Sequence, residues 1–363
     1  MTKKNKPEPL ALKDEGLTWT ELHPLIRATL ESDISVLILG HPGVGKSTLA
    51  KSLANSMGLE LIDIRLAQKD PAELGGVYFP DKDSHSLKLL PPEWVLKACS
   101  KPCFVFLDEI NSGVSKLHQA VAYQIVLEKK VANFVFHPKT VVMAAGNLLD
   151  DNAIVSPLSS ALANRFAHFR LRVDAKCWVD WGMGSLDWRI LSYISCMGDE
   201  ALYCNSGDSD AFPSPRTWAM TSSILEKNPD INIRRVASSC VGSAAATAFA
   251  SWIELNAKLD PETVIMDGKM VDFTSGKKRD PSFKYAAIFS VGNWAASNEE
   301  KISDQHMENL VHFANSDGLD PEYQFLLVRR MCQNKSLMEK LKKLKSFQKL
   351  STALVSIRSE LFQ

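Results

Sequence analysis

Short apolar, often β-branched runs punctuate the first half of the chain, at 35–39, 61–65, 103–107 and 141–145. Each is too short for a helix and is bounded by turn or polar residues, which predicts strands. Between them the apolar period lengthens. Leu49, Leu53 and Met57 recur every fourth residue after the first run, and Leu117, Val121, Gln124, Ile125 and Glu128 carry a helical period after the third. Strands alternating with helices predict an α/β layer structure with a parallel sheet covered on both faces. A fifth strand at 168–172 closes the unit.

From Asp174 the strand signals fade and Trp, Ser and Ala become frequent. Pro213 and Pro215 break the chain just before a helical stretch that starts at Arg216. The pattern divides the chain into an N-terminal segment (1–30), an α/β core (31–173), a mainly helical domain (174–300) and a helical C-terminal extension (301–363). A polar hairpin or loop is expected near 267–280, and the Trp-rich run 178–188 reads as core of the helical domain. In the tail, Leu337, Leu341, Leu344 and Phe347 share one face among lysines, as in a solvated helix docked by its apolar side.

Composition narrows the class. Hydrophobic residues make up 45% and charged residues 23% of the 363 positions, enough apolar surface for a real core. Lys plus Arg equals Asp plus Glu, 42 each, so no global basic field draws in nucleic acid or acidic lipid. The basic tip of residues 1–15 is followed by no apolar run, unlike a signal peptide, and no stretch approaches the roughly 20 apolar residues that span a bilayer. The seven cysteines form no C-x-x-C pair, and neither they nor the eight histidines show metal spacing; His118 and His168 read as packing or polar surface. A cytoplasmic protein without membrane contact is expected.

The strongest chemical signal is Gly40-His41-Pro42-Gly43-Val44-Gly45-Lys46-Ser47-Thr48, a full match to G-x-x-x-x-G-K-[ST]. Glycines let backbone N–H groups turn inward around a phosphate where a side chain would collide. Lys46 supplies a point charge for the β- and γ-oxygens, and the Ser47 hydroxyl is a ligand for Mg²⁺. The motif follows a predicted buried strand and opens a helix, whose positive end adds to the phosphate site. ATP with Mg²⁺ is the expected cofactor pair.

The third strand ends in two carboxylates, Asp108 and Glu109. Asp108 is placed to hold the Mg²⁺ shell and Glu109 to orient and polarise an attacking water. Asp108 lies 62 residues after Lys46, room for a helix, a strand and a second helix between them.

At this point the sequence resembles the AAA+ ATPases, and within them the MoxR-like group, over roughly residues 20–260. DPAELGG (70–76), FLDEIN (106–111), VLEKKV (126–131), MAAGN (143–147), SALANRF (160–166) and FPSPRTW (212–218) follow that group's order. The resemblance implies an AAA+ P-loop αβα sandwich with a parallel sheet, followed by an α-helical lid domain. It implies that Asn147 holds the attacking water or the γ-phosphate, that Arg165 is an arginine finger for a neighbouring subunit, and that Arg216 is a lid arginine for its own. It further implies a homo-oligomeric ring, six-membered, and a hairpin within 70–92 where Tyr78 and Phe79 stand beside flexible glycines. Function follows as an expectation: ATP hydrolysis that remodels or activates a partner protein complex, chaperone-like, with a partner bearing a von Willebrand factor A-type domain. The alternative is a nucleic-acid-directed motor like the McrB-type restriction proteins, against which the neutral charge counts.

Overall fold

The computed structural model describes residues 16–81, 85–112, 115–148, 157–205 and 210–361. The tip read at 1–15 lies outside them. The chain forms two compact units, 1–173 and 174–363.

The first unit runs α1 (Trp19–Glu31), β1 (Val36–Leu39), α2 (Lys46–Ser56), β2 (Glu60–Arg65), α3 (Pro71–Gly75), β3 (Val77–Asp81), β4 (Ser86–Leu90), α4 (Glu93–Ser100), β5 (Cys103–Asp108), α5 (Lys116–Glu128), β6 (Lys130–Val131), β7 (Phe134–Val135), β8 (Val141–Gly146), α6 (Ser160–Ala163) and β9 (Ala167–Arg170). Five strands form one sheet in the order β2-β5-β8-β1-β9, every neighbouring pair parallel. Parallel strands need crossovers, and the helices that supply them cover both faces. β5 and β8 are buried along their whole length, as continuous apolar runs require. One face of the sheet packs Val105, Leu107, Val142 and Ala144 against Ala122, Ile125 and Val126 of α5. The other packs Phe104, Phe106, Met143 and Ala145 against Leu49 and Leu53 of α2 and Leu22, Ile26 and Leu30 of α1.

The five predicted strands all form, within one or two residues of the predicted bounds. α1, placed by the sequence in an N-terminal segment, supplies core side chains to the first unit. Leu117, which shares the helical period read from the sequence, is 66% exposed, because the buried face of α5 runs through Ala122, Ile125 and Val126. The hairpin expected within 70–92 forms. α3 is closed by an Asp70–Glu73 capping box, and β3 and β4 pair antiparallel with Tyr78 and Phe79 exposed on the hairpin.

The second unit is helical: α7 (Ala175–Gly182), α8 (Trp188–Met197), α9 (Asp199–Leu202), α10 (Pro215–Lys227), α11 (Ile233–Val241), α12 (Ser243–Asn256), α13 (Pro261–Met266), α14 (Pro281–Ser297), α15 (Asp304–Ala314), α16 (Pro321–Met331), α17 (Lys335–Leu341) and α18 (Lys345–Leu361). Tyr193, Trp218, Phe249 and Trp252 form an aromatic cluster with centroids 5.3–5.8 Å apart, and the Trp218 indole donates to the Ala201 carbonyl at 2.9 Å. α14 is buried around most of its circumference, and Gly292 lets it approach Leu327 and Arg330 of α16. The helices of 301–361 therefore pack into the same unit as those of 174–300.

Of the Trp-rich run, Trp178 is buried while Trp181 is 55% exposed, so only part of it is core. The segment near 267–280 is a loop with two apolar anchors, Val271 and Phe273, ending in a short 3₁₀ turn. The tail docks by Leu337, Leu341 and Phe347 as expected, through two helices rather than one. Among the described residues no helix is long and apolar enough to cross a membrane. His118 bonds the cap of α5 and the Lys69 carbonyl, and His168 the Ala163 carbonyl.

Candidate nucleotide-binding site

The carboxyl ends of β1, β5 and β8 lie side by side in the middle of the sheet. This is where an open α/β sheet places a ligand crevice.

β1 runs into the glycine-rich loop. Gly43 and Gly45 hold φ of 78° and 103°, which an L side chain rarely adopts. A Cβ on Gly40 would stand 3.0 Å from the Leu171 carbonyl, so the loop also needs glycine to pass β9's end. His41, Pro42, Val44 and Ser47 are half-buried and Thr48 is exposed. Lys46, the first residue of α2, is only 8% exposed. Its Nζ donates to the carbonyls of Gly40 (2.6 Å) and His41 (2.9 Å) and to Asn147 Oδ1 (2.9 Å). These acceptors compensate the burial of an ammonium that would otherwise be costly.

Asp108 ends β5, 8% exposed. Its Oδ2 accepts the Ser47 hydroxyl at 2.9 Å, and its Oδ1 accepts the Glu109 N–H at 2.9 Å. The loop and the acidic strand end are thus joined by a hydroxyl–carboxylate pair. Glu109 has φ of 57°, in the left-handed region, where a non-glycine residue costs ~1–2 kcal/mol. Strain of this kind persists only where surrounding structure over-determines it, and it clusters at working sites. On the neighbouring edge strand, burial and the negative Asp108 raise the Asp63 carboxyl, against the lowering effects of Arg65 and Lys51.

Asn147, just past β8, links the two halves. Its Oδ1 faces Lys46 and its Nδ2 donates to Ser112 Oγ at 3.1 Å. Because an ammonium can only donate, the amide orientation is set by Lys46. Asn111, 5% exposed, accepts the Asn147 N–H at 3.0 Å and donates to its carbonyl at 2.8 Å. A Cβ on Gly146 would fall 2.7 Å from Asn111 Oδ1, so glycine is required there for the approach. Asn111 and Ser112 carry no separate signal in the sequence. Asn111 stands inside the acidic motif, but its partner is 36 residues away and becomes its neighbour only through the β5–β8 pairing.

The structure therefore brings together the loop 40–48, Asp108 and Asn147, with Glu109 held next to them by its backbone. Arg165 follows α6 on the first unit and is exposed, with no ion pair or side-chain hydrogen bond among the described residues. Arg216 lies in the first turn of α10 in the second unit, also exposed, behind the Ser214–Thr217 capping box and Pro215.

Residues 36–172 match the profile of the family described as "ATPase family associated with various cellular activities (AAA)". The matched segment spans the whole parallel sheet, β1 to β9 with β2, β5 and β8, and is similar to that family. Protein mac-1 of Caenorhabditis elegans is 33% identical over 107 residues. That match covers 28% of this chain and 12% of the length of mac-1. Among solved structures, a candidate ATPase of Cytophaga hutchinsonii is 14% identical with a TM-score of 0.33, covering 87% of this chain and 81% of that one. A point variant of RuvB from Thermotoga maritima is 15% identical with a TM-score of 0.33, covering 70% and 78%. Similarity at that level assigns neither an activity nor a partner.

Proposed function

We propose that the chain hydrolyses ATP at a site shared between subunits of a ring, six-membered, and uses the cycle to remodel or activate a partner protein complex, as MoxR-like AAA+ proteins do. The observation that carries this reading is the coupling of the glycine-rich loop to two strand ends: Lys46 to Asn147, and Ser47 to Asp108.

Backbone N–H groups of residues 40–48 and the start of α2 would receive the phosphates, with Lys46 neutralising the β- and γ-oxygens. Ser47 and Asp108 present a hydroxyl and a carboxylate to each other, an all-oxygen pair that suits the hard cation Mg²⁺ and would hold it. Mg²⁺ supplies Lewis-acid polarisation of the phosphate oxygens. Glu109 would accept the proton of the attacking water, and Asn147 would orient that water. Arg165 is an exposed cation without an ion-pair partner among the described residues, as a group reserved for a neighbour's γ-phosphate should be. Arg216 would reach the nucleotide of its own subunit. A partner with a von Willebrand factor A-type domain fits the MoxR-like reading, and a cytoplasmic setting fits the lack of any membrane-crossing helix among the described residues.

Phosphate release with ATP and Mg²⁺ tests the reading. Activity should vanish in Lys46→Ala and Glu109→Gln, rise with protein concentration as rings form, and be stimulated by a partner protein. Stimulation by DNA instead would overturn the remodelling role.

A further inference from the structure

β2 is an edge strand, bonded to β5 on one side only. Beside it lies a cavity of about 560 Å³. Ile62, Asp63 and Ile64, three consecutive residues of β2, all line it. Successive side chains of a strand point to opposite faces, so a cavity that touches three in a row runs along the strand's edge, against its backbone. Among the described residues, no backbone N–H or C=O of 60–65 bonds to anything across that edge. The far wall is α3, the base of the β3–β4 hairpin and the start of α4.

An open edge strand is a template for another strand. Native proteins blunt such edges with lysine, proline or a covering element, yet the β2 edge faces a space lined by apolar groups, among them Leu74 and Leu90. Its charge is one-sided: Glu73 and Glu93 stand against the single lining cation Lys69. The indole of Trp94, another lining residue, has its Nε1 buried with no acceptor among the described residues.

We propose that this groove binds an extended, lysine- or arginine-bearing peptide segment of a partner protein, which adds as a strand to the edge of β2. Backbone pairing supplies affinity, the apolar lining takes alternate side chains, and the carboxylates select cations on the others. The cavity touches Ile62, Asp63 and Ile64, so the guest pairs with that stretch of β2. The site is separate from the nucleotide reading and needs no ATP.

The probe is a fluorescein-labelled Val-Lys-Val-Lys-Val-Lys peptide, titrated against the full chain without nucleotide and followed by polarisation. Two control peptides carry Glu for Lys, or N-methyl groups on alternate amides. Saturable binding of the lysine peptide, at least ~10-fold weaker for the glutamate peptide and lost for the N-methylated one, is the expected result. Glu73→Gln/Glu93→Gln should weaken it by about tenfold. Glutamine at Glu73 keeps the capping box of α3, and a thermal melt checks the fold. Undiminished binding of the N-methylated peptide, no change in the double variant, or no saturable binding of any peptide would each overturn the proposal. Phosphate release measured on the same double variant reads the nucleotide site independently.

Discussion

Asn111 and Asn147 grip each other across the ends of β5 and β8: the Asn111 side chain satisfies both the N–H and the C=O of Asn147, at 3.0 and 2.8 Å. Asn147 is thereby free to spend its own amide on Lys46 and Ser112. One buried side chain thus positions a second, which in turn seats the lysine of the loop.

Asn111→Ala should leave two polar backbone groups of Asn147 without partners, at a cost of ~1–3 kcal/mol in unfolding free energy. Hydrolysis should fall while ATP affinity changes by less than about tenfold, because the loop itself is untouched. Asn111→Asp, nearly isosteric, should be no better: its second oxygen would face the Asn147 carbonyl rather than donate to it. Denaturant unfolding and steady-state phosphate release check both.

Glu109 separates stability from activity. Glu109→Gly relieves the left-handed backbone and should be neutral or stabilising by up to ~1 kcal/mol. Glu109→Gln keeps the strain. Both should reduce hydrolysis by at least ~100-fold, with ATP binding intact. A loss of stability in Glu109→Gly would show that the side chain itself holds the site together.

Arg165→Ala should lower turnover ~10³-fold or more without unfolding the chain, since the side chain is exposed. Mixing it with Glu109→Gln should restore activity, because mixed rings contain sites with an intact carboxylate from one subunit and an intact arginine from the next. Two inactive variants that stay inactive on mixing would show that the site is not shared.

At the opposite end of β2, Lys101 and Lys97 reach the Glu60 carboxylate at 2.6 and 2.7 Å and lower it from its ordinary value to about 2. A depressed carboxyl contributes stability that is present above its unfolded value, near 4.5, and lost as pH falls towards 2. The difference in melting temperature between wild type and Glu60→Gln should therefore persist at neutral pH and shrink below pH 4.5. High salt should shrink it as well, because the pair is exposed.

The sequence by itself determined the periods and the local chemistry. Apolar runs became the inner strands β1, β5 and β8 because both-face burial suits them, and the helical periods between the strands required parallel pairing. The loop 40–48 was legible because its glycines, lysine and serine act through backbone geometry encoded within nine residues. Partners distant in sequence were not. Asp108 meets Ser47 across 61 positions, and Asn111 meets Asn147 across 36. Strand order decides which ends are neighbours, and no local pattern carries it. The left-handed backbone at Glu109 and the unpaired edge of β2 are likewise tertiary facts: the first is imposed by what surrounds the β5 end, the second by which strand comes last in the sheet.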